Sequence, residues 1–189
     1  MSIIVPLLLP LMFLAGGQAP SYTPESAPAA LRPAVEKADA AFARLKQALI
    51  TRLTTELAQA GPLTALSACH DAAPDIAREV RRVEGIEVGR TSHRLRNQKN
   101  TAPSWAAAHV KAGAAATGAE ARALVVDLGE KVGVLRPIAT LGMCTACHGP
   151  AEQLAPDIRE TLAALYPGDQ ATGFREGDLR GWMWAEVPK

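Results

Sequence analysis

Leu124-Val125-Val126-Asp127-Leu128 and Val132-Gly133-Val134-Leu135-Arg136-Pro137-Ile138, joined by Gly129-Glu130-Lys131, decide the fold class. Both runs are dominated by β-branched and aliphatic residues, and the glycine-bearing junction supplies a turn. They read as two strands of one antiparallel hairpin. Working outward, Ile86, Val88 and Thr91 follow Gly85 in a second β-type run, and Gly177–Val187 reads as a closing strand carrying Trp182 and Trp184. The flanks are helical. Phe42, Leu45, Leu49, Leu53 and Leu57 recur at helical spacing on one face of Ala34–Ala60. Gly61 and Pro62 end that helix. A short helix is expected over Leu63–Cys69, a break over Asp71–Pro74 and a helical turn over Asp75–Arg82. Pro103 precedes an Ala-rich helix to about Ala112, and Pro156–Leu165 forms another, ended by Tyr166-Pro167-Gly168. A long N-terminal helix followed by strands mixed with short helices argues α+β with an antiparallel sheet.

The chain has 189 residues, which suits one domain. It is 48% apolar and 21% charged, with a formal charge of +1. Those values exclude a disordered chain and a bulk nucleic-acid binder. Aromatics are only 4%, so the side chains alone make a lean core. Met1–Leu14 has no charged side chain, and small residues follow at Ala15, Gly16, Gly17 and Ala19. Residues 1–19 therefore read as a secretory signal peptide, although the leading end lacks Lys or Arg. An uncleaved membrane anchor is the alternative, but the run is short for a span. Ala19–Pro33, rich in Pro, Ser and Ala, reads as a linker, leaving 34–189 as the domain. Export, to the periplasm, places the chain where thiols tend to oxidise. The three cysteines then pose a question, because the number is odd.

Cys144-Thr145-Ala146-Cys147-His148 is a C-x-x-C-H. Thiols three positions apart share one side of a helical turn. They are placed to add to the two vinyl groups along one edge of a haem, with His148 next in line as proximal iron ligand. The competing reading is a disulfide or thiol-redox pair, but such a motif should open a long helix, and Gly149-Pro150 prevents one. Cys69 is then left over. It is a buried thiol, or a zinc ligand together with Cys144, Cys147 and His70 or His148, or the second axial ligand of a haem iron. His70, His93, His109, Met143 and Met183 compete for that last role. Gly89–Asn100 carries Arg90, Arg94, Arg96 and Lys99 with no acid. Arginine matches carboxylate geometry, so these residues are candidates for the haem propionates, or else a solvated loop. The three tryptophans, Trp105, Trp182 and Trp184, read as packing for the core or a haem pocket. Asp178 and Arg180 read equally as a structural pair or as a haem contact.

Several pieces in order resemble a family of bacterial c-type haem domains with a PAS-like fold. Its members occur alone in cyanobacteria and other bacteria, and as sensor modules of histidine kinases. The pieces are Cys69 with Ala73-Pro74-Asp75-Ile76-Ala77, Gly89-Arg90-Thr91-Ser92, Arg94, Arg96-Asn97 and Asn100. They continue with Arg136-Pro137-Ile138, Cys144–Gly149, Tyr166-Pro167, Asp169, Ala171, Gly173-Phe174, Gly177-Asp178 and Leu179-Arg180-Gly181. The resemblance spans about Ala38 to Val187. It implies one covalent haem c on Cys144 and Cys147, proximal His148 and a thiolate from Cys69 as the other ligand. It also implies a PAS-like antiparallel sheet flanked by helices, with the haem in the pocket, for which Arg90, Arg94, Arg96, Asn97 and Trp105 are the candidate binding residues. The sequence departs from the family pattern at Gln98, where proline usually follows, and at Ser104, where aspartate usually precedes the tryptophan. No kinase segment follows Val187, so a stand-alone module is expected.

A thiolate ligand stabilises ferric iron and lowers the potential, whereas methionine raises it. The expected function is therefore redox or small-ligand sensing, or low-potential electron transfer, with a redox protein or a small diatomic molecule as partner and no nucleic acid. The alternatives are a haem enzyme of peroxidase or nitrogen-oxide type, using His70 or His109 as distal base, and a haem-free zinc-binding structural protein.

Overall fold

The computed structural model describes residues 19–189, except the side chains of Ala68 and Cys69. The signal-peptide reading of residues 1–19 thus falls, but for Ala19, outside the described residues. Residues 20–33, expected as a linker, are instead packed into the fold. Ser21–Tyr22 forms a short strand, β1, and Ala29–Leu31 a 3-10 turn. Ala27 and Leu31 join the main core and are each 3% exposed. A Pro/Ser/Ala composition disfavours regular backbone structure, but a few buried apolar side chains are enough to tie a segment down.

The helical element α1 runs Arg32–Glu84 and bends once, at Gly61, where φ is 76° and ψ is −179°. That conformation is essentially open to glycine alone. Pro62 then restarts the helix at a position where its missing N–H is no loss. The expected break at Asp71–Pro74 is absent, and the second limb passes through Pro74 to Glu84. Proline deletes one ladder bond, but Ile76, Ala77 and Val80 pack against the main core and hold the continuation. Gly85, in the left-handed conformation, closes the helix by donating its N–H to the Arg81 carbonyl at 2.9 Å.

The sheet contains β2 (Glu87–Thr91), β3 (Leu124–Asp127), β4 (Lys131–Ala139) and β5 (Leu179–Pro188) besides β1. Its order is β1-β3-β4-β5-β2, and every pairing is antiparallel. The expected hairpin is β3–β4, with Val125 opposite Val134. Strand periodicity sorts the side chains to two faces. Val88, Val125, Val132, Val134, Ala185 and Val187 meet Phe42 and Leu45 of α1. On the other face Leu135, Leu179 and Trp182 meet Ala106 and Val110 of α2 (Ser104–Ala112). At the far end of β4 the register slips, with Ile138 opposite Gly181 but Ala139 opposite Leu179. Arg180 is the extra residue, and such a bulge re-aims a side chain.

Two short elements complete the fold: α3 (Thr145–His148) and α4 (Pro156–Leu165). Leu154, Ile158 and Leu162 pack on Leu66 of the second limb of α1, with Cys147 and Tyr166 at the margin. Among the described residues, no helix is long and apolar enough to cross a membrane.

Candidate functional site

The C-x-x-C-H lies on a single turn, with Cys144 closing a 3-10 segment, Gly142–Cys144, and Cys147 and His148 ending α3. Gly149 stops the turn, donating its N–H to the Thr145 carbonyl at 2.8 Å. A Cβ at Gly149 would lie 2.5 Å from that oxygen, so any side chain there would force the turn open. Beyond it, Gly173 and Phe174 donate their N–H groups to the carbonyls of Gly149 and His148 at 2.7 and 2.8 Å. The motif is thereby stitched to the segment 169–174. Among the described residues, Cys144 and Cys147 form no disulfide with each other.

His148 donates from Nδ1 to the Ala171 carbonyl at 2.7 Å. A carbonyl only accepts, so the proton sits on Nδ1 and Nε2 keeps its lone pair. Burial pushes the imidazole pKa well below its ordinary value, and Arg180, Arg96 and Arg90 add to this, outweighing the Ala171 bond. The ring is therefore held neutral, the form that ligates metals.

Three arginines shape the surroundings. Arg96 pairs with Asp169 at 3.0 Å, the two side chains being 10% and 9% exposed. Its Nη2 donates to the carbonyls of Cys147 and Ala171. Burial lowers the Arg96 pKa, and Asp169 opposes the shift. Asp169 also accepts the Ala171 N–H at 2.7 Å. Arg94 donates from Nε to the Gln170 carbonyl at 3.1 Å and lies over the Phe174 ring, 4.2 Å from its centre. Arg180 lies 5.2 Å from the same centre. Its Nε is buried with no partner among the described residues. Burial, reinforced by Arg96 and Arg90, lowers its pKa to about 10. His93 also borders Phe174, with ring centres 6.0 Å apart. Burial, then Arg94 and Arg180, lowers its pKa.

The structure thus gathers His148, Cys147, Arg94 and Arg96, with Arg90 and Arg180 close enough to weigh on His148. It rearranges several expected roles. Arg96 is not part of a solvated loop, because its guanidinium is engaged with Asp169 and the carbonyls of Cys147 and Ala171, while Arg94 commits its Nε to the Gln170 carbonyl. Asn97 accepts the Lys99 N–H at 2.9 Å and shapes its own turn. Trp105 is separated from the cluster. It packs over Gly133 and donates to Glu186 at 3.0 Å, on the sheet face opposite Arg90. His109 lies on that same far face, 5.0 Å from the Trp182 ring, with Nε2 on the Arg122 carbonyl at 2.8 Å. Asp178 accepts the Arg175 N–H at 2.7 Å, and no pairing with Arg180 is present among the described residues. The Cys69 side chain lies outside the described residues. Its neighbour His70 stacks edge-on against Tyr166 at 4.7 Å, on the limb that faces α4.

Asp169, Ala171 and Phe174 enter the sequence reading only as pieces of the family resemblance, with no role of their own, and Arg180 only in a pair with Asp178. Asp169 follows the turn Tyr166-Pro167-Gly168 and returns its N–H to the Tyr166 carbonyl at 2.9 Å. Among the described residues, no group of three or more His, Cys, Asp or Glu side chains converges. An open cleft of about 370 Å³ beside Arg81, Gly85, Lys131 and Pro188 lies at the other end of the sheet and touches none of the cluster.

The family model described as Tll0287-like matches residues 26–188. The chain belongs to the Tll0287-like family. Its fold is similar to that in the crystal structure of the cyanobacterial heme-protein Tll0287, at 26% identity and a TM-score of 0.61. The similarity covers 82% of this chain and 94% of that one. No curated protein matches the sequence. The motif order from Cys69 to Gly181 and the tertiary fold thus lead to the same Tll0287-like family.

Proposed function

We propose that this Tll0287-like chain is an exported c-type haem protein. Cys144 and Cys147 hold the haem through two thioethers, each formed as a thiol S–H adds across a vinyl double bond. His148 would hold the iron through Nε2, and Cys69 would supply a thiolate ligand. The observation that carries the reading is the 2.7 Å bond from His148 Nδ1 to the Ala171 carbonyl. It presents a neutral, oriented imidazole next to two thiols on one turn. The surroundings fit the group, since a buried Arg180 with an unpartnered Nε suits an anionic carboxylate. We therefore assign the propionate contact to Arg180, with Arg90 beside it, while Arg94 and Arg96 hold the backbone.

A bound haem supplies a one-electron couple and two axial positions. The chain's own residues orient the ligand, hold the imidazole neutral and surround it with positive charge. Redox or small-ligand sensing, or low-potential electron transfer, is the role such a site supports.

The test is expression with an export signal in a host that attaches haem c. The purified protein is assayed by pyridine haemochrome and intact mass. One covalent haem per chain is expected, and a colourless chain of unmodified mass would overturn the reading. A six-coordinate thiolate-type ferric spectrum is expected at rest. A five-coordinate one would favour a haem enzyme.

A further inference from the structure

We infer that Arg96 is a positioning residue that sets the donor strength of His148 through one shared acceptor, the Ala171 carbonyl. The inference rests on the proposed haem ligation. Ala171 O accepts from His148 Nδ1 at 2.7 Å and from Arg96 Nη2 at 3.2 Å. Arg96 Nη2 also binds the carbonyl of Cys147, next to His148 in the chain. The geometry is locked from below, because Asp169 accepts Arg96 Nε at 3.0 Å and the Ala171 N–H at 2.7 Å. Asp169, Arg96 and Ala171 thus close a ring beneath the imidazole, and the ion pair within it is almost fully buried.

The physical consequence follows from competition for one oxygen. A cation on the carbonyl withdraws electron density and makes it a poorer acceptor for the Nδ1 proton. A weaker Nδ1 bond leaves the imidazole less imidazolate-like, so Nε2 donates less to iron. The ferric form is then stabilised less, and the potential is held higher than an unshared carbonyl would give. The positive charge of Arg96 acts in the same direction through space, since it favours the iron with the lower charge. Contact geometry and charge are separable, because lysine keeps the charge but not the fork.

The experiment compares wild type, Arg96→Lys and Arg96→Gln as purified haem proteins, after the haemochrome has shown one haem per chain. The readouts are the midpoint potential and the His148 Nδ1 proton resonance in the reduced protein. Both variants are expected to shift the Nδ1 proton downfield and the midpoint to more negative values, with Arg96→Gln further because it also loses the charge. An unmoved Nδ1 proton in both variants overturns the inference, whatever the midpoint does. If neither variant folds, a nuclear Overhauser contact between the Arg96 guanidinium and His148 Nδ1 protons in wild type takes their place, and its absence overturns the inference. If the haemochrome shows no haem, the ligation reading fails. The same proton comparison on the haem-free chain then still decides whether Arg96 weakens the His148 bond.

Discussion

Arg94 and Arg180 share one aromatic ring: their guanidinium carbons lie 4.2 and 5.2 Å from the centre of Phe174, which is 2% exposed. Two like charges gather there because a ring face attracts cations and the surrounding carbonyls accept their protons. Phe174 is also tied to His148 through its backbone N–H. Phe174→Leu keeps most of the buried volume and removes the ring. It should lower stability by about 2 kcal/mol, from lost packing and two cation–π contacts. Urea unfolding measures it, and a loss under a few tenths would remove the ring from the account.

The bend at Gly61 offers a cleaner backbone test. A Cβ there meets nothing within 4 Å, so an alanine would have space but the wrong conformation. Gly61→Ala should cost about 1–3 kcal/mol with no lost contact. Thermal unfolding at unchanged helicity by circular dichroism checks it.

Arg136 of β4 reaches back to α1, with Nε and Nη2 on the two oxygens of Asp39 at 2.8 and 2.7 Å. Asp39 is 45% exposed on its side chain, so solvent screens part of the pair. Asp39→Ala should cost about 1 kcal/mol, chiefly by leaving a largely buried guanidinium short of acceptors. A double-mutant cycle with Arg136→Met should show less than additive losses.

The thioether assignment has a spectral test. Cys144→Ser and Cys147→Ser should each leave one vinyl group conjugated with the ring, moving the haemochrome band to the red. An unshifted band in both variants would contradict attachment through these two thiols.

The Cys69 assignment has its own test. Cys69→Met should raise the midpoint potential and replace a thiolate-type ferric spectrum by a methionine-type one. If neither changes, Cys69 does not touch the iron.

Much of the fold was legible because it is written in short-range composition and periodicity. The β-branched and aliphatic run Val132–Ile138 named a strand, and the spacing of Phe42, Leu45 and Leu49 named a helix. Pro156 and Leu165 bound α4 as expected, because a proline start and a Tyr-Pro-Gly stop are local chemistry. Pro74 misled for the same reason. Its local effect is to break a helix, but the cost is one hydrogen bond, and Val80 at 3% exposure outweighs it. Residues 20–33 were misjudged likewise, since composition says nothing about what lies beneath Ala27 and Leu31.

Within the candidate site, the sequence by itself determined the local grouping of Cys144, Cys147 and His148. Two thiols and an imidazole within five residues are fixed relative to one another by a single turn, whatever the rest of the chain does. The tertiary structure alone decided which side chains face them. Trp105 went to the far face because Gly133 and Glu186, paired across the sheet, leave room and an acceptor there. Arg96 became a clamp because Asp169, 73 positions away, lies beside Cys147. Arg180 joined the cluster because a register slip at Ala139 re-aimed it. Sheet register and long-range packing set those meetings, and neither leaves a period or a spacing in the chain to be read.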